Sequence, residues 1–286
     1  MIEILKAILF GIVQGITEWL PVSSTGHMIL LDQIVKLNVS ENFYSVFEVV
    51  IQLGSIIAVI LIFWKRIWPF GKKGNKHPLK KDGIGAYIKK DKFVLWFHIL
   101  VSCIPAIIIG LPFDDLFEEL FYNPTCVAIA LIVVGVAFIV VENRIRKKKD
   151  FRVNKIVEIT YKDALIIGLF QVIAAIFPGT SRSGATIIGA LIIGVSRTCA
   201  AEYTFYLAIP AMLGASLLKI LKYGLAFSAL EYAILIVGSV VAFVVSLFVI
   251  KGLMNYVKKH DFKIFGYYRI VLGVIVLVCG FMGLIH

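Results

Sequence analysis

Six stretches of the chain stay apolar for about 20 residues each with few or no charges inside, the length a helix needs to cross the hydrocarbon layer of a membrane. They run from about Ser45 to Trp64, Phe93 to Leu111, Thr125 to Val141, Glu202 to Leu221, Ser228 to Ile250 and Gly266 to Ile285. Composition agrees: 60% of the 286 residues are hydrophobic and 16% charged, with a mean hydropathy of +0.93, far from an ordinary soluble domain. We expect an all-α integral membrane protein, a single membrane domain over residues 1–286. Met1-Ile2-Glu3 is not a basic leader region and no small-residue cleavage site follows it, so the first segment is expected to stay. Cys103, Cys126, Cys199 and Cys279 lie in or beside apolar segments without metal-ligand spacing and read as packing residues.

Two further apolar stretches, Ile2 to Leu37 and Tyr161 to Val195, are broken near the middle by Pro, Gly, Ser and Thr. Such a break leaves backbone groups without partners, which the bilayer tolerates only inside protein or beside a water-filled cavity. Both stretches are expected to be re-entrant helical hairpins.

Charge sets the orientation. Lys65 to Lys92 carries ten Lys or Arg and Arg144 to Lys162 carries eight, whereas Leu111 to Thr125 has no basic residue and four acidic ones, Asp114, Asp115, Glu118 and Glu119. Basic loops stay in the cytoplasm, which places the acidic segment and both termini outside. Lys219 and Lys222 then sit on the outer side, against the rule. Basic loops beside spans need no nucleic acid to explain them; anionic lipid heads are the better partner.

Sliding the chain on itself by 157 residues pairs Gly11, Gln14 and Ile16 with Gly168, Gln171 and Ile173, Pro21 with Pro178, and Ser24 with Ser181. Each half, approximately 1–142 and 161–286, then holds one hairpin and three spans. An odd number of spans inverts the second half, so the two broken tips can meet near the midplane, as in other inverted repeats that build substrate sites.

The first tip reads Gln14-Gly-Ile-Thr-Glu18-Trp-Leu-Pro21-Val-Ser23-Ser24-Thr25-Gly26-His27, and the second Pro178-Gly-Thr-Ser181-Arg182-Ser183-Gly-Ala-Thr186. Gln14 and Glu18 share a helix face, and a carboxylate at such depth is a functional candidate by default. After each proline, hydroxyls and glycines lead into a fresh helix, whose free N–H groups suit an anion. Arg182 offers a fixed charge and a planar fork for phosphate oxygens, with pairing to Glu18 as the structural alternative. His27 can move a proton near neutral pH or attack phosphorus itself.

These residues resemble the undecaprenyl-diphosphatase family associated with bacitracin resistance. Its (Glu/Gln)-x-x-x-Glu motif running into P-V-S-S-T-G-H appears as Gln14 to Glu18 with Pro21 to His27, and its P-G-x-S-R-S-x-x-T motif as Pro178 to Thr186. The resemblance implies hydrolysis of undecaprenyl diphosphate on the outer side of the bacterial cytoplasmic membrane, with a divalent cation such as Mg²⁺ or Ca²⁺. Glu18, His27 and Ser24 would be catalytic, with Glu18 also a metal ligand. Arg182, Ser181, Ser23, Thr25, Ser183, Thr186 and Gln14 would bind substrate. Gln rather than Glu at position 14 weakens a metal shared by two carboxylates. His27, Ser24 and water all stay open as the nucleophile. The partners expected are the lipid substrate, the surrounding bilayer and, as a homodimer, a second copy.

A polyprenyl-lipid flippase or anion transporter is the rival reading, since inverted repeats with broken helices are also transporter architecture; a bifunctional protein would combine the two. A His, Glu and Ser set beside an Arg favours chemistry. The other integral lipid-phosphatase superfamily places a catalytic histidine six residues after its S-R pair, where this chain has Ile188.

Overall fold

The computed structural model describes every residue except 73, 74, 76, 147–149 and 284–286, and every side chain of the rest except those of 111, 114 and 118. Lys73, Lys76 and Lys147 to Lys149 of the basic runs, the expected end of the last span at Ile285, and the side chains of Asp114 and Glu118 therefore lie outside the described residues. Among the described residues all regular elements are helical, with isolated β-bridges only.

Among the described residues six helices are long and apolar enough to cross a membrane: α3 (Glu41–Ile67), α4 (Lys90–Gly110), α6 (Pro124–Ile145), α9 (Arg197–Tyr223), α10 (Ala229–Tyr256) and α11 (Lys263–Phe281). All six are those expected, and most reach further at their ends because polar caps extend them. Asn123 accepts from the Cys126 N–H ahead of Pro124, and Ser228 and Glu231 close a capping box at the start of α10. The acidic segment is itself a short helix, α5 (Asp114–Phe121), which its loop-like charge concealed. Ile57, Leu61, Ile236, Phe248 and Val271 point outward, as lipid-facing side chains do.

The two broken stretches each form a helix pair, α1 (Ile2–Thr17) with α2 (Ser24–Ile34), and α7 (Tyr161–Ile176) with α8 (Arg182–Ile192). Their open ends are tied. Lys6 Nζ donates to the Lys36 carbonyl (2.6 Å) and the Asn38 N–H to Glu3 (3.0 Å). Arg152 likewise bridges Asp163 near the start of α7 (2.6 Å) and the Ile193 carbonyl after α8 (3.2 Å). Lengths recur in order: α1 and α7 have 16 residues, α2 and α8 have 11, α3 and α9 have 27.

Packing is reciprocal as well. α1 lies along α10 and α7 along α4, while α6 pairs with α11 and α3 with α9. Glycines make these approaches close. A Cβ on Gly11 would stand 2.6 Å from the Gly238 carbonyl oxygen, and one on Gly168 2.4 Å from that of Ser102. Close backbone approach at small residues is how helices associate where lipid supplies no hydrophobic drive.

Gly11→Val and Gly168→Val are each expected to lower the melting temperature of the protein in detergent, since overpacking of this kind costs about 1–3 kcal/mol. Melting curves that overlay the wild type would show the two crossings to be slack.

Candidate active site

Each helix pair is interrupted by a turn with a serine in the left-handed region: Ser23 at φ 73° and Ser181 at φ 69°. No other described residue except glycine has positive φ. A side chain is held there at a cost of order 1–3 kcal/mol, so something must over-determine both turns. One determinant is capping, because Ser23 Oγ accepts from the Gly26 N–H (3.3 Å) and Ser181 Oγ from the Gly184 N–H (3.2 Å). The caps thus match Ser23, rather than Ser24, to Ser181: the second turn has one more residue after its proline.

The second determinant is Arg269 on α11, which is 0% exposed. Its Nη1 donates to the Pro21 carbonyl (3.1 Å), and its Nη2 to the carbonyls of Gly179 (2.8 Å) and Thr180 (2.7 Å). One guanidinium therefore fastens both turns together. Sequence reasoning passed over this residue, although a lone arginine inside an apolar stretch was its signal.

Beside this tie the two segments form an ion pair. Glu18, next after the last residue of α1, accepts from Arg182 Nη2 on Oε1 (2.9 Å), and from Gln14 Nε2 and Ser24 Oγ on Oε2 (2.9 Å each). Ser183 Oγ lies 3.4 Å from the Glu18 carbonyl and 3.0 Å from Ser181 Oγ. Arg182 Nη1 is buried and has no partner among the described residues. Gln14, Glu18, Ser24 and Arg182 are thus brought together as the sequence led us to expect.

Others stand apart from that cluster. His27 Nδ1 lies 2.7 Å from the Ser23 carbonyl, which can only accept, so Nδ1 carries a proton and donates it. Nε2 faces the Tyr268 hydroxyl at 2.7 Å, and the two rings stack within 3° of parallel. Thr186 is fully buried and bonds Thr204 (2.9 Å) and the Arg182 carbonyl (2.9 Å). Nothing in the sequence pattern pointed to Tyr268 or Thr204.

A cavity of 360 Å³ opens beside the cluster, lined by Gln14, Ser24, Thr25, Glu48, Gln52 and Lys219 among others. It lies on the side of α5, where Lys222 Nζ pairs with Asp115 (2.5 Å), which gives one of the two lysines that broke the charge rule an acidic neighbour. Among the described residues no group of three or more His, Cys, Asp or Glu could hold a metal. The donors of the cluster are the Glu18 carboxylate and the neutral oxygens of Gln14 and Ser24, with the Glu48 carboxylate on the wall of the same cavity. That set fits a hard cation that keeps waters and takes phosphate oxygens, and it does not fit an all-protein cage.

Six spans and a charged cluster where two interrupted helix pairs meet define a polytopic membrane protein with a buried polar site. Comparison with known proteins narrows this. The chain matches the family described as "Bacitracin resistance protein BacA" over residues 7–275. It is 58% identical over 277 residues to Undecaprenyl-diphosphatase 1 of Clostridium acetobutylicum, covering 97% of each chain. It is also 58% identical over 278 residues to Undecaprenyl-diphosphatase of Desulfitobacterium hafniense (97% and 96% covered). Against Undecaprenyl-diphosphatase of Enterococcus faecalis it is 56% identical over 277 residues (97% of each). The chain belongs to the bacitracin resistance protein BacA family.

Arg269→Met would leave three buried carbonyls without their donor, at about 1–3 kcal/mol for each unsatisfied group. The expected result is a clear fall in melting temperature, with Arg269→Lys intermediate because one ammonium cannot span both turns as a planar fork does. Unchanged melting of the Met variant would remove the tie from the account.

Proposed function

We propose that this protein hydrolyses undecaprenyl diphosphate to undecaprenyl phosphate and inorganic phosphate, and so recycles the lipid carrier of cell-wall synthesis. The observation that carries the reading is the cluster in which Glu18 accepts from Arg182, Gln14 and Ser24; the names of the relatives supply the substrate. A flippase or anion transporter also needs a clamp for the anion; the hydroxyl of Ser24 donating to the Glu18 carboxylate favours chemistry, because it sets a nucleophile beside a base.

Arg182, through the Nη1 that has no partner among the described residues, grips the diphosphate and balances charge on the transferring phosphoryl group. The Ser24 hydroxyl gives its proton to Glu18 while its oxygen attacks the terminal phosphorus. The bond from that phosphorus to the bridging oxygen breaks, and undecaprenyl phosphate leaves with the electron pair. Water then attacks the phosphoserine; the bond from phosphorus to Ser24 Oγ breaks, Glu18 returns its proton to that oxygen, and the protons of the water leave with inorganic phosphate and solvent. His27, bonded to the Ser23 carbonyl, keeps the turn that presents Ser24 in place. A divalent cation such as Mg²⁺ or Ca²⁺, held by Glu18 with Gln14 and Ser24, would neutralise further charge on the diphosphate.

In this reading α1–α2 and α7–α8 are re-entrant hairpins, and residues 1–142 and 161–286 are inverted repeats joined by a basic cytoplasmic loop. Support comes from the recurring helix lengths, the tied open ends and the reciprocal packing of α1 on α10 and α7 on α4. The basic runs set the cytoplasmic side, so the cavity beside α5 faces the outer side of the bacterial cytoplasmic membrane, as do both termini.

The test is phosphate release from undecaprenyl diphosphate by the purified protein in detergent, with binding of a non-hydrolysable diphosphate analogue measured alongside. Arg182→Lys should lower turnover more than binding, because the charge stays and the two-pronged geometry goes. Wild-type protein that binds the analogue yet releases no phosphate with divalent cation supplied would sink the phosphatase reading.

Glu18→Gln should insert and fold but lose most of the activity, and the divalent cation needed for what remains should rise. Full activity at an unchanged cation requirement would take Glu18 out of the mechanism.

A further inference from the structure

A second cavity, of 350 Å³, opens at the other end of the protein, between the end of α3, the start of α4, the short turn Ile156–Glu158 and the start of α9. Glu48 lines the polar cavity and Arg66 this one, about 27 Å apart along α3 at about 1.5 Å per residue, so the two cavities lie at opposite ends of one helix. Both basic runs of the sequence border it: Arg66, Lys90 and Lys92 come from the first, Ile156 and Val157 from the second. Aromatic rings mark its depth. Trp64 and Trp68 flank Arg66 in sequence, with stacked rings 4.2 Å apart, and Trp96 Nε1 donates to the Ile67 carbonyl (2.9 Å). Tryptophans gathered at the end of a span sit at the level of lipid head groups.

The cavity holds donors that the protein does not use. His98 on α4 is 6% exposed and packs edge-on against the Tyr161 ring (centroids 4.3 Å apart), and its ring nitrogens have no hydrogen-bond partner among the described residues. A buried imidazole left in that state points to a polar ligand. Lys90 begins α4, and its own N–H donates to the His77 carbonyl (2.9 Å), which pins His77 beside the positive end of that helix. Two carboxylates share the wall, but each already holds a cation: Asp91 that of Lys92 (2.9 Å), and Glu202 that of Arg66 (2.8 Å). What remains is the single charge of Lys90 with the helix end, and the imidazoles of His77 and His98 as donors. That suits a group with one negative charge and two free oxygens, a phosphodiester, better than a multiply charged phosphate. Val94, Leu95, Ile156 and Val157 complete the wall, an apolar surface that a soluble anion would leave uncovered.

We propose that this cavity binds the phosphodiester head of an anionic phospholipid from the leaflet it faces, with Lys90 and His98 donating to the phosphate oxygens and the apolar wall taking the adjoining methylenes. Basic pockets between membrane helices at the cytoplasmic side receive such heads. A bound lipid braces the start of α4 against the start of α9. The site is separate from the Glu18 cluster and does not rest on the phosphatase reading; the charge rule supplies the leaflet.

The test is binding of short-chain phosphatidylglycerol to the whole chain in a neutral detergent, beside phosphatidylcholine of the same chains and inorganic phosphate. Phosphatidylglycerol should bind about tenfold tighter than phosphatidylcholine, and inorganic phosphate should not displace it. Lys90→Gln and His98→Phe, the second of which removes the donors and keeps a ring, should each raise its Kd about tenfold. Lys81→Gln takes the same charge from the same basic run outside the cavity and should stay within about twofold. Equal binding of the two lipids, an equal loss in Lys81→Gln, or unchanged binding in either cavity variant would overturn the site. Displacement by inorganic phosphate would overturn the lipid as its ligand. Should His98→Phe fail to fold, Lys90→Gln decides alone.

Discussion

The three hydrogen bonds that Arg269 makes to the carbonyls of Pro21, Gly179 and Thr180 hold two separate breaks in the backbone against one another inside an apolar body. Broken helices expose backbone acceptors that lipid cannot satisfy. Leaving a guanidinium uncompensated at the same depth would be equally costly. Each problem solves the other, and the arrangement fixes where Ser23, Ser181 and the helices they cap must sit. Glu18 and Arg182 then meet because the turns that carry them have already been aligned.

That ordering explains how the charged pair can be kept reactive. A buried ion pair by itself is a weak source of stability, since desolvation offsets much of its attraction. Here alignment comes from Arg269 and from the serine caps, so Glu18 and Arg182 are not required to hold the turns together. Arg182 uses one nitrogen on Glu18 and leaves another without a partner among the described residues, and Glu18 divides its oxygens between a cation, an amide and a hydroxyl. Groups released from structural duty can exchange partners when an anion arrives.

Much of this was legible in the sequence, for identifiable reasons. The six spans announce themselves because lipid demands uninterrupted apolar length. Gln14, Glu18, Ser24 and Arg182 could be named because each is chemically out of place in an apolar stretch. Arg269 carried the same signal and was missed, since it sits alone without a motif around it. Tyr268 and the pairing of Thr186 with Thr204 depend on which helices lie side by side, and a periodic pattern says nothing of that. The orientation of His27 was likewise hidden: adjacency to Ser24 in sequence placed it in the cluster, whereas the turn of α2 directs its ring to α11. Helix α5 was obscured because its acidic residues suggested a solvated loop.

Because α1 rests on α10 and Arg269 belongs to α11, the first helix pair made by the ribosome is anchored by nearly the last segments to be made. Through most of synthesis the turn at Pro21 to Ser23 therefore has neither its bracing helix nor its guanidinium. The native contacts of that turn can form only once the chain has been made past residue 269, so the site is completed late in synthesis.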